Sequence, residues 1–207
     1  MDIEKLSAAL ESVRQKTPVP GSRAATYMMT YPALLSLARH SETDNREKFL
    51  HMATATYGWM PRIVRLDPDH LSRAVEVFTQ ALTVTENSWE DVPIHHVADC
   101  LHSVVGASKL LHFANPDVFP IWDSNVERIW HGSDPSQHNM GQVRNYFSCA
   151  DRVHQLRSAP SFNVFYDEFT HAYEERLDRL GITRYRLTQV RAVEAATFEL
   201  AGDDDDR

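Results

Sequence analysis

The sequence is poor in cysteine, with only Cys100 and Cys149 among 207 residues. Two cysteines in a chain of this length do not form a disulfide framework, which indicates a reduced, cytoplasmic protein. Apolar runs are also short, since none approaches the ~18 residues that a membrane span requires. The opening segment MDIEKLSAALESVRQK mixes both charges and lacks the apolar centre of a secretion signal. We therefore expect a cytoplasmic protein with no membrane partner.

Glycine is also sparse, at 7 residues, and the glycine-rich functional patterns are missing. The sequence has no P-loop, no dinucleotide-binding fingerprint and no nucleophile elbow of the G-x-S-x-G type. Nucleoside triphosphate binding, dinucleotide binding and serine hydrolysis therefore have no support in the sequence. We expect the protein to work without a cofactor.

Positive charge is in deficit, because the formal net charge at pH 7 is −8. Proteins that bind nucleic acids usually present a basic face, so this balance lowers the expectation of such a partner without excluding it. Part of the negative charge lies in the segment DDDDR (203–207), which we expect to be solvated and disordered. Arginines cluster elsewhere, for instance Arg62 and Arg65 in PRIVR, which allows a local basic patch on an acidic protein.

What the sequence does contain is apolar periodicity of three and four residues, which is typical of amphipathic helices. The pattern is clearest over 69–84, 94–105 and 161–180, and Gly181 follows the last segment as a stop. No segment sustains the strict alternation of a half-buried strand. We therefore expect an all-α protein of about nine helices. These would form a single helical domain over 1–202, with room for two lobes around a cleft.

The segment VVGASKLLHFANP is expected to complete a helical hairpin. A helix over 94–105 would end at Gly106, because glycine turns the chain through conformations closed to other residues. Ser108 and Lys109 would then begin the second helix, where free backbone N–H groups can hold a phosphate.

Another helix is expected to start within FPIWDSNVER. Asp123 is a candidate N-cap, which is a common structural role for aspartate. Ser124 and Glu127, however, have the spacing of a capping box, and that box would cap the helix without Asp123. In that case the Asp123 carboxylate would be available for chemistry beside the positive end of the helix dipole. The sequence leaves both roles open.

The order of these elements resembles the helix-hairpin-helix DNA glycosylase superfamily. The stretch GASKLLHFANPDVFPIWDSNV is similar to 8-oxoguanine DNA glycosylase-like proteins of bacteria, and the resemblance covers residues 104–130. It implies that Asp123 supports cleavage of the N-glycosidic bond, and that Asn125 lies on the helix that Asp123 opens. It also implies that Lys109 lies at the position of the nucleophile, and that the hairpin with Gly106 and Ser108 grips DNA.

Two departures from the superfamily pattern concern the hairpin. The superfamily usually has two glycines just before the lysine, whereas this hairpin has only Gly106. The spacing of 14 residues between Lys109 and Asp123 is also shorter than is typical. Both departures bear more on the nucleophilic role of Lys109 than on the role of Asp123.

The implied chemistry needs a base that has left the duplex stack and entered a recognition pocket. Cleavage of its bond to the sugar passes through an oxocarbenium-like state, which a nearby carboxylate stabilises. Aromatic side chains can line such a pocket, although each is equally open to core packing. The candidates are Tyr27, Tyr57, Trp59 and Trp122.

The resemblance therefore predicts a DNA glycosylase whose partner is double-stranded DNA containing a modified base. It leaves lyase activity open, and a monomer is the expected oligomeric state. That base would be an oxidised purine, or a hypermodified base of phage DNA in antiviral defence. The alternative is a non-catalytic all-α DNA-binding or interaction module on the same scaffold. A third, weaker hypothesis is a metal-dependent hydrolase using His95, Asp99 and His102, although no metal-site motif is present and no metal is expected.

Overall fold

The computed structural model describes residues 1–39, 43–132 and 134–202. Within these ranges the protein contains eleven α-helices, one short 3₁₀ turn at Trp89–Asp91 and no strand, which confirms the predicted all-α class. The segment 203–207, expected to be disordered, lies outside the described residues. The helices are α1 Ile3–Gln15, α2 Arg23–Arg39, α3 Asn45–Trp59, α4 Leu71–Ala81, α5 His95–Leu101, α6 Val104–Ala114, α7 Ser124–His131, α8 Gln137–Met140, α9 Val143–Arg157, α10 Phe162–Arg179 and α11 Gln189–Ala201.

The chain divides into two compact units, each built from separate stretches of sequence. The first unit, called the terminal unit below, comprises Met1–Pro32, Ser124–Pro135 and Asp151–Arg207. The second, called the hairpin unit, comprises Ala33–Asp123 and Ser136–Ala150. Within the described ranges, no helix is long and apolar enough to cross a membrane.

The core of the hairpin unit forms where α3, α4, α5 and α6 pack against one another. Phe49 of α3 meets Phe78 of α4 edge to face, with ring centroids 5.8 Å apart, and neither side chain is exposed to solvent. Burying one such side chain stabilises the fold by about 1.5–3 kcal/mol. Along α4 the buried row is Ala74, Val77, Phe78 and Ala81, which has the three- and four-residue spacing of an amphipathic helix.

In the terminal unit, α1 packs against α10 and α11, and α11 packs against α7. Arg176 on α10 is only 3% exposed and pairs with the Glu199 carboxylate of α11. Its guanidinium also donates to the carbonyl oxygens of Ser12 and Val13, at 2.9 and 3.2 Å, near the end of α1. A buried charge is tolerated where it is paired and hydrogen-bonded in this way. As predicted, α10 stops just before Gly181, whose φ of +68° favours glycine.

Candidate active site in the hairpin unit

The helical hairpin exists, but its turn lies earlier than Gly106. Helix α5 ends at Leu101, and His102 takes the left-handed conformation, with φ 48° and ψ 32°. Ser103 then caps α6, because its hydroxyl accepts a hydrogen bond of 2.9 Å from the Gly106 N–H. The prediction that Gly106 ends the first helix is therefore wrong. A left-handed histidine followed by a serine N-cap makes the turn that was assigned to glycine.

Gly106 is required by packing instead. A Cβ atom at this position would lie 2.6 Å from the Tyr57 hydroxyl oxygen and 3.0 Å from Cε2 of its ring. Tyr57 cannot easily move, since its hydroxyl donates a 3.0 Å hydrogen bond to the carbonyl of Leu101, the last residue of α5. Burial raises the pKa of the Tyr57 hydroxyl, which keeps it as a neutral donor. Because Gly106 has no side chain, Tyr57 of α3 can pack closely against α6 while its hydroxyl bonds to the end of α5.

Ser108 does not begin a helix, and the prediction that it holds a phosphate there is wrong. It lies in the second turn of α6 and is fully buried. Its hydroxyl oxygen accepts a 3.0 Å hydrogen bond from the Trp122 N–H and lies 3.2 Å from the Trp122 carbonyl oxygen. Ser108 therefore fixes the backbone of the residue that directly precedes Asp123.

A second buried contact supports the same segment. The Nδ1 atom of His112, on the next turn of α6, lies 2.8 Å from the Phe119 carbonyl oxygen. The side chains of Phe119, Ile121 and Trp122 are all 0% exposed. The expectation that Trp122 contacts DNA is thereby corrected, because its indole presents no surface to solvent. These contacts hold the segment 119–122 against α6, and Asp123, which follows it, lies beside Lys109.

Lys109 and Asp123 meet, as the resemblance implies. The Lys109 Nζ atom lies 3.4 Å from Oδ2 of Asp123, and each side chain is 13% exposed. Lys109, like Ser108, lies inside α6 rather than at its start. At this separation and an effective dielectric constant of ~20, the gross attraction is about 5 kcal/mol before desolvation is subtracted. The pair is thus sheltered from water yet still reachable from solvent.

Trp59, the last residue of α3, lies against this pair. The Lys109 Nζ atom is 5.5 Å from the centroid of the Trp59 ring, within the range of a cation–π contact. Trp59 also packs against Phe113, with the two ring centroids 5.2 Å apart and the ring planes at 90°. Trp59 was predicted as a DNA contact, and its side chain is half-buried beside Lys109. The contact between Trp59 and Lys109 was not foreseen from the sequence.

The capping-box prediction at Ser124 is wrong. Helix α7 begins at Ser124, so Ser124 is the first helical residue and Asp123 directly precedes it. Glu127 is buried at 2% exposure, and its Oε2 atom has no hydrogen-bond partner among the described residues. Asp123 therefore combines a helix-start position with the ion pair to Lys109, so the two roles weighed from the sequence are not exclusive.

Two further predicted DNA contacts, Asn125 and Tyr27, belong to the terminal unit. The Asn125 side-chain oxygen accepts a 3.1 Å hydrogen bond from Arg128. The Tyr27 hydroxyl accepts one of 2.6 Å from Arg23. Neither residue is part of the hairpin unit, which holds Lys109 and Asp123 together.

A basic cleft beside the hairpin turn was not identified from the sequence. It measures about 220 Å³ and is lined by residues of the hairpin and of the segment 61–66, among them Arg62, Arg65, His102 and Ser103. Backbone hydrogen bonds hold that segment in place, from the Asp67 N–H to the Cys100 carbonyl at 2.8 Å and from the Arg62 N–H to the Tyr57 carbonyl at 2.9 Å. The pairing of PRIVR with the hairpin depends on tertiary contacts, so only the local arginine cluster was visible in the sequence.

The histidines do not build a metal centre in the part of the chain that the structure describes. There, no three side chains of the His, Cys, Asp or Glu type come together as a group that could hold an ion. His95, Asp99 and His102, proposed from their spacing, form no such group, since His102 lies beyond α5 in the hairpin turn. The His95 ring instead lies against the His96 ring, with ring centroids 4.1 Å apart and the planes tilted by 44°.

The site combines a few groups of complementary chemistry. A carboxylate and an amine lie together under partial cover, an indole lies over the amine, and arginines line a cleft at the nearby turn. This arrangement provides a negative charge and a potential nucleophile at one point.

The sequence matches no protein-family model, and comparisons with curated proteins and with solved structures give no match.

Proposed function

We propose that the protein is a DNA glycosylase that excises a damaged or modified base from double-stranded DNA. The observation that carries the proposal is the Lys109–Asp123 pair, with Nζ and Oδ2 3.4 Å apart and both side chains mostly buried. Exposed ion pairs contribute little, whereas this pair is sheltered and joins α6 to the end of the segment that follows it. The carboxylate can stabilise positive charge on the sugar, and the adjacent lysine can supply a nucleophile where the reaction uses one.

In the proposed reaction, the bond between the base nitrogen and C1′ of the sugar breaks and its electron pair leaves with the base. The Asp123 carboxylate stabilises the positive charge that develops on the sugar. Either water or the Lys109 amine then forms the new bond to C1′, and the departing base gains a proton. Attack by Lys109 requires that its ammonium first lose a proton.

The cleft at the hairpin turn supports DNA as the partner. Arg62 and Arg65 are both exposed there, on a segment tied to the end of α5. Arginines suit phosphate because the planar guanidinium offers several donors in fixed directions. A local basic surface is compatible with the net charge of −8, because phosphate binding depends on the local field and not on the sum of charges.

Two classes of substrate are proposed, and only the first of them follows from the resemblance. An oxidised purine is one, and a hypermodified base of phage DNA, excised in antiviral defence, is the other. Duplexes carrying one such base at a defined position distinguish them, since release of the base leaves an abasic site that alkali cleaves. We expect cleavage with one class and none with the matching unmodified duplex.

The test of the function compares wild type with Asp123→Asn. Loss of the negative charge should reduce the rate of base release by about 10²–10³-fold, the usual scale for a transition-state electrostatic contact. Asp117→Asn is the matched control, because Asp117 is an exposed aspartate on the same connection between α6 and α7. The proposal fails if wild type and Asp123→Asn form abasic sites equally, or if wild type forms none on either class of substrate.

Borohydride trapping separates the two mechanisms. If Lys109 attacks C1′, borohydride reduces the resulting imine and links protein to DNA, and Lys109→Gln abolishes the link. Lys48→Gln is the control, because Lys48 lies on α3 outside the Lys109–Asp123 pair, and this variant should retain the link. If water attacks, no link forms although base release continues.

A second candidate function is a non-catalytic DNA-binding module. The position of Asp123 directly before the first residue of α7 favours it, because aspartate is a preferred residue at helix starts. A module would bind modified and unmodified duplexes with equal affinity and would release no base. Binding measurements on both duplexes therefore decide between a module and an enzyme.

A further inference from the structure

Two neighbouring side chains restrict the position of the Lys109 ammonium group. Its flexible four-carbon stem normally samples many rotamers, and a single carboxylate leaves the direction of approach open. Here the ammonium is constrained twice, by Asp123 Oδ2 at 3.4 Å and by the face of Trp59 at 5.5 Å. Two contacts of different kinds define a position where one would define only a distance.

Trp59 is itself held by the helix that carries Lys109. Phe113 follows Lys109 by four residues on α6, so the two side chains project from the same face. The indole lies across both, with Phe113 meeting it edge to face at 5.2 Å. Phe113 is only 1% exposed, which makes it a fixed wall for the indole. The orientation of Trp59 relative to Lys109 is therefore set by core packing.

The choice of an aromatic residue matters at this point. An aliphatic side chain would fill the same space but offer no negative face to an ammonium, whereas phenylalanine would preserve that face. Stacking of Trp59 on a DNA base would need a solvent-accessible face of its indole. One face of the indole is instead directed at Lys109.

We infer that Trp59 is a positioning residue that holds the Lys109 amine beside Asp123 for base excision. The inference rests on the proposed function and adds to it a residue that need not touch the substrate. Reacting groups that are misplaced by about 1 Å lose rate steeply, so the effect should appear in the chemical step rather than in DNA binding.

The experiment combines Trp59→Leu and Trp59→Phe with Lys109→Gln in a double-mutant cycle. On a modified duplex that wild type cleaves, Trp59→Leu should lower the single-turnover rate about 3- to 30-fold, the range of a partly desolvated cation–π contact. Dissociation constants for the same duplex should stay within about twofold of wild type, since binding is not the affected step. Trp59→Phe should recover most of the rate, and Trp59→Leu should have no further effect in the Lys109→Gln background.

Urea unfolding of wild type, Trp59→Leu, Lys109→Gln and the double variant of these two gives a reading that needs neither DNA nor activity. Trp59→Leu should lower the folding equilibrium constant by a larger factor when Lys109 is present than when it is replaced by glutamine. Circular dichroism confirms that each variant retains its helices. A ratio of one between the two factors contradicts the contact, whether or not wild type excises a base.

The outcomes separate the two proposals. If wild type releases no base, the proposed function fails while the unfolding cycle still decides whether Trp59 holds Lys109. If wild type is active but Trp59→Leu weakens DNA binding as much as it lowers the rate, Trp59 contacts DNA and the positioning role is wrong. The same conclusion follows if Trp59→Phe is as slow as Trp59→Leu.

Discussion

Replacing Gly106 with alanine tests the packing of the hairpin. In an open helix this change is favourable by about 0.5–1 kcal/mol, because glycine is the poorer helix former. Here the added Cβ would lie 2.6 Å from the Tyr57 hydroxyl and 3.0 and 3.1 Å from Cε2 and Cζ of the ring. Overpacking of this kind costs about 1–3 kcal/mol. Displacing the hydroxyl from the Leu101 carbonyl costs about 1 kcal/mol more.

The terms sum to a net destabilisation of about 1–3 kcal/mol after the helix-propensity gain is subtracted. Equilibrium urea unfolding, followed by circular dichroism, measures it. Gly58→Ala is the matched control, because Gly58 lies in α3 and a Cβ added there would have nothing within 4 Å. That control should gain about 0.5–1 kcal/mol.

A second substitution isolates the cause. Tyr57→Phe removes the atom of closest approach, so Gly106→Ala should cost less in that background than in wild type, by about 1 kcal/mol or more. If Gly106→Ala instead stabilises the protein as Gly58→Ala does, the close approach of Tyr57 to α6 does not exist. The explanation given for Gly106 in the hairpin would then be wrong.

Three further predictions concern the scaffold. Ser103→Ala should destabilise the protein by about 1 kcal/mol through loss of the α6 N-cap, whereas Ser103→Asp, which keeps a capping oxygen, should stay within about 0.5 kcal/mol of wild type in urea unfolding. Arg176→Ala should cost about 3–5 kcal/mol because it removes a buried guanidinium that pairs with the Glu199 carboxylate and donates to the Ser12 and Val13 carbonyls, whereas Arg184→Ala, at an exposed ion pair, should cost much less. Burial raises the pKa values of Tyr57 and Tyr173, so their neutral forms stabilise the fold fully below pH ~10 and this contribution falls as pH rises further. An alkaline unfolding series should show a shallower fall for Tyr57→Phe, and an identical slope would contradict the burial of that hydroxyl.

Helical periodicity predicted the fold class because the rows of buried residues follow it directly. The stripe on α10 and its stop at Gly181 were both confirmed, since each depends on local geometry alone. The hairpin turn was misplaced because the chain reverses at a left-handed histidine, His102, where glycine was expected. A signal for the correct position was present, however, because Ser103 precedes an apolar pair and serine is a preferred N-cap.

The sequence identified the two charged residues of the candidate site but not the residues that hold them in place. Lys109 and Asp123 were paired through the resemblance, and the structure brings them together. The hydrogen bonds from Ser108 and His112 that fix the connecting segment leave no periodic mark, because each joins a side chain to a distant backbone atom. The need for glycine at position 106 is equally non-local, since Tyr57 creates it from another helix.

The division of the chain into two units could not be predicted from the sequence. Each unit is assembled from separate stretches of chain, and the boundaries at Pro32 and Ala150 fall inside helices α2 and α9. Composition and periodicity do not change at such points, so no linker marks them. The hairpin unit nevertheless keeps Lys109 and Asp123 within one compact body, because the chain leaves it only after residue 123.

The decisive measurement is base release from one duplex by wild type, Asp123→Asn and Asp117→Asn under single-turnover conditions. We predict abasic sites with wild type and Asp117→Asn, and a loss of about 10²–10³-fold with Asp123→Asn. Equal rates for wild type and Asp123→Asn would contradict the claim that the Lys109–Asp123 pair is a catalytic centre.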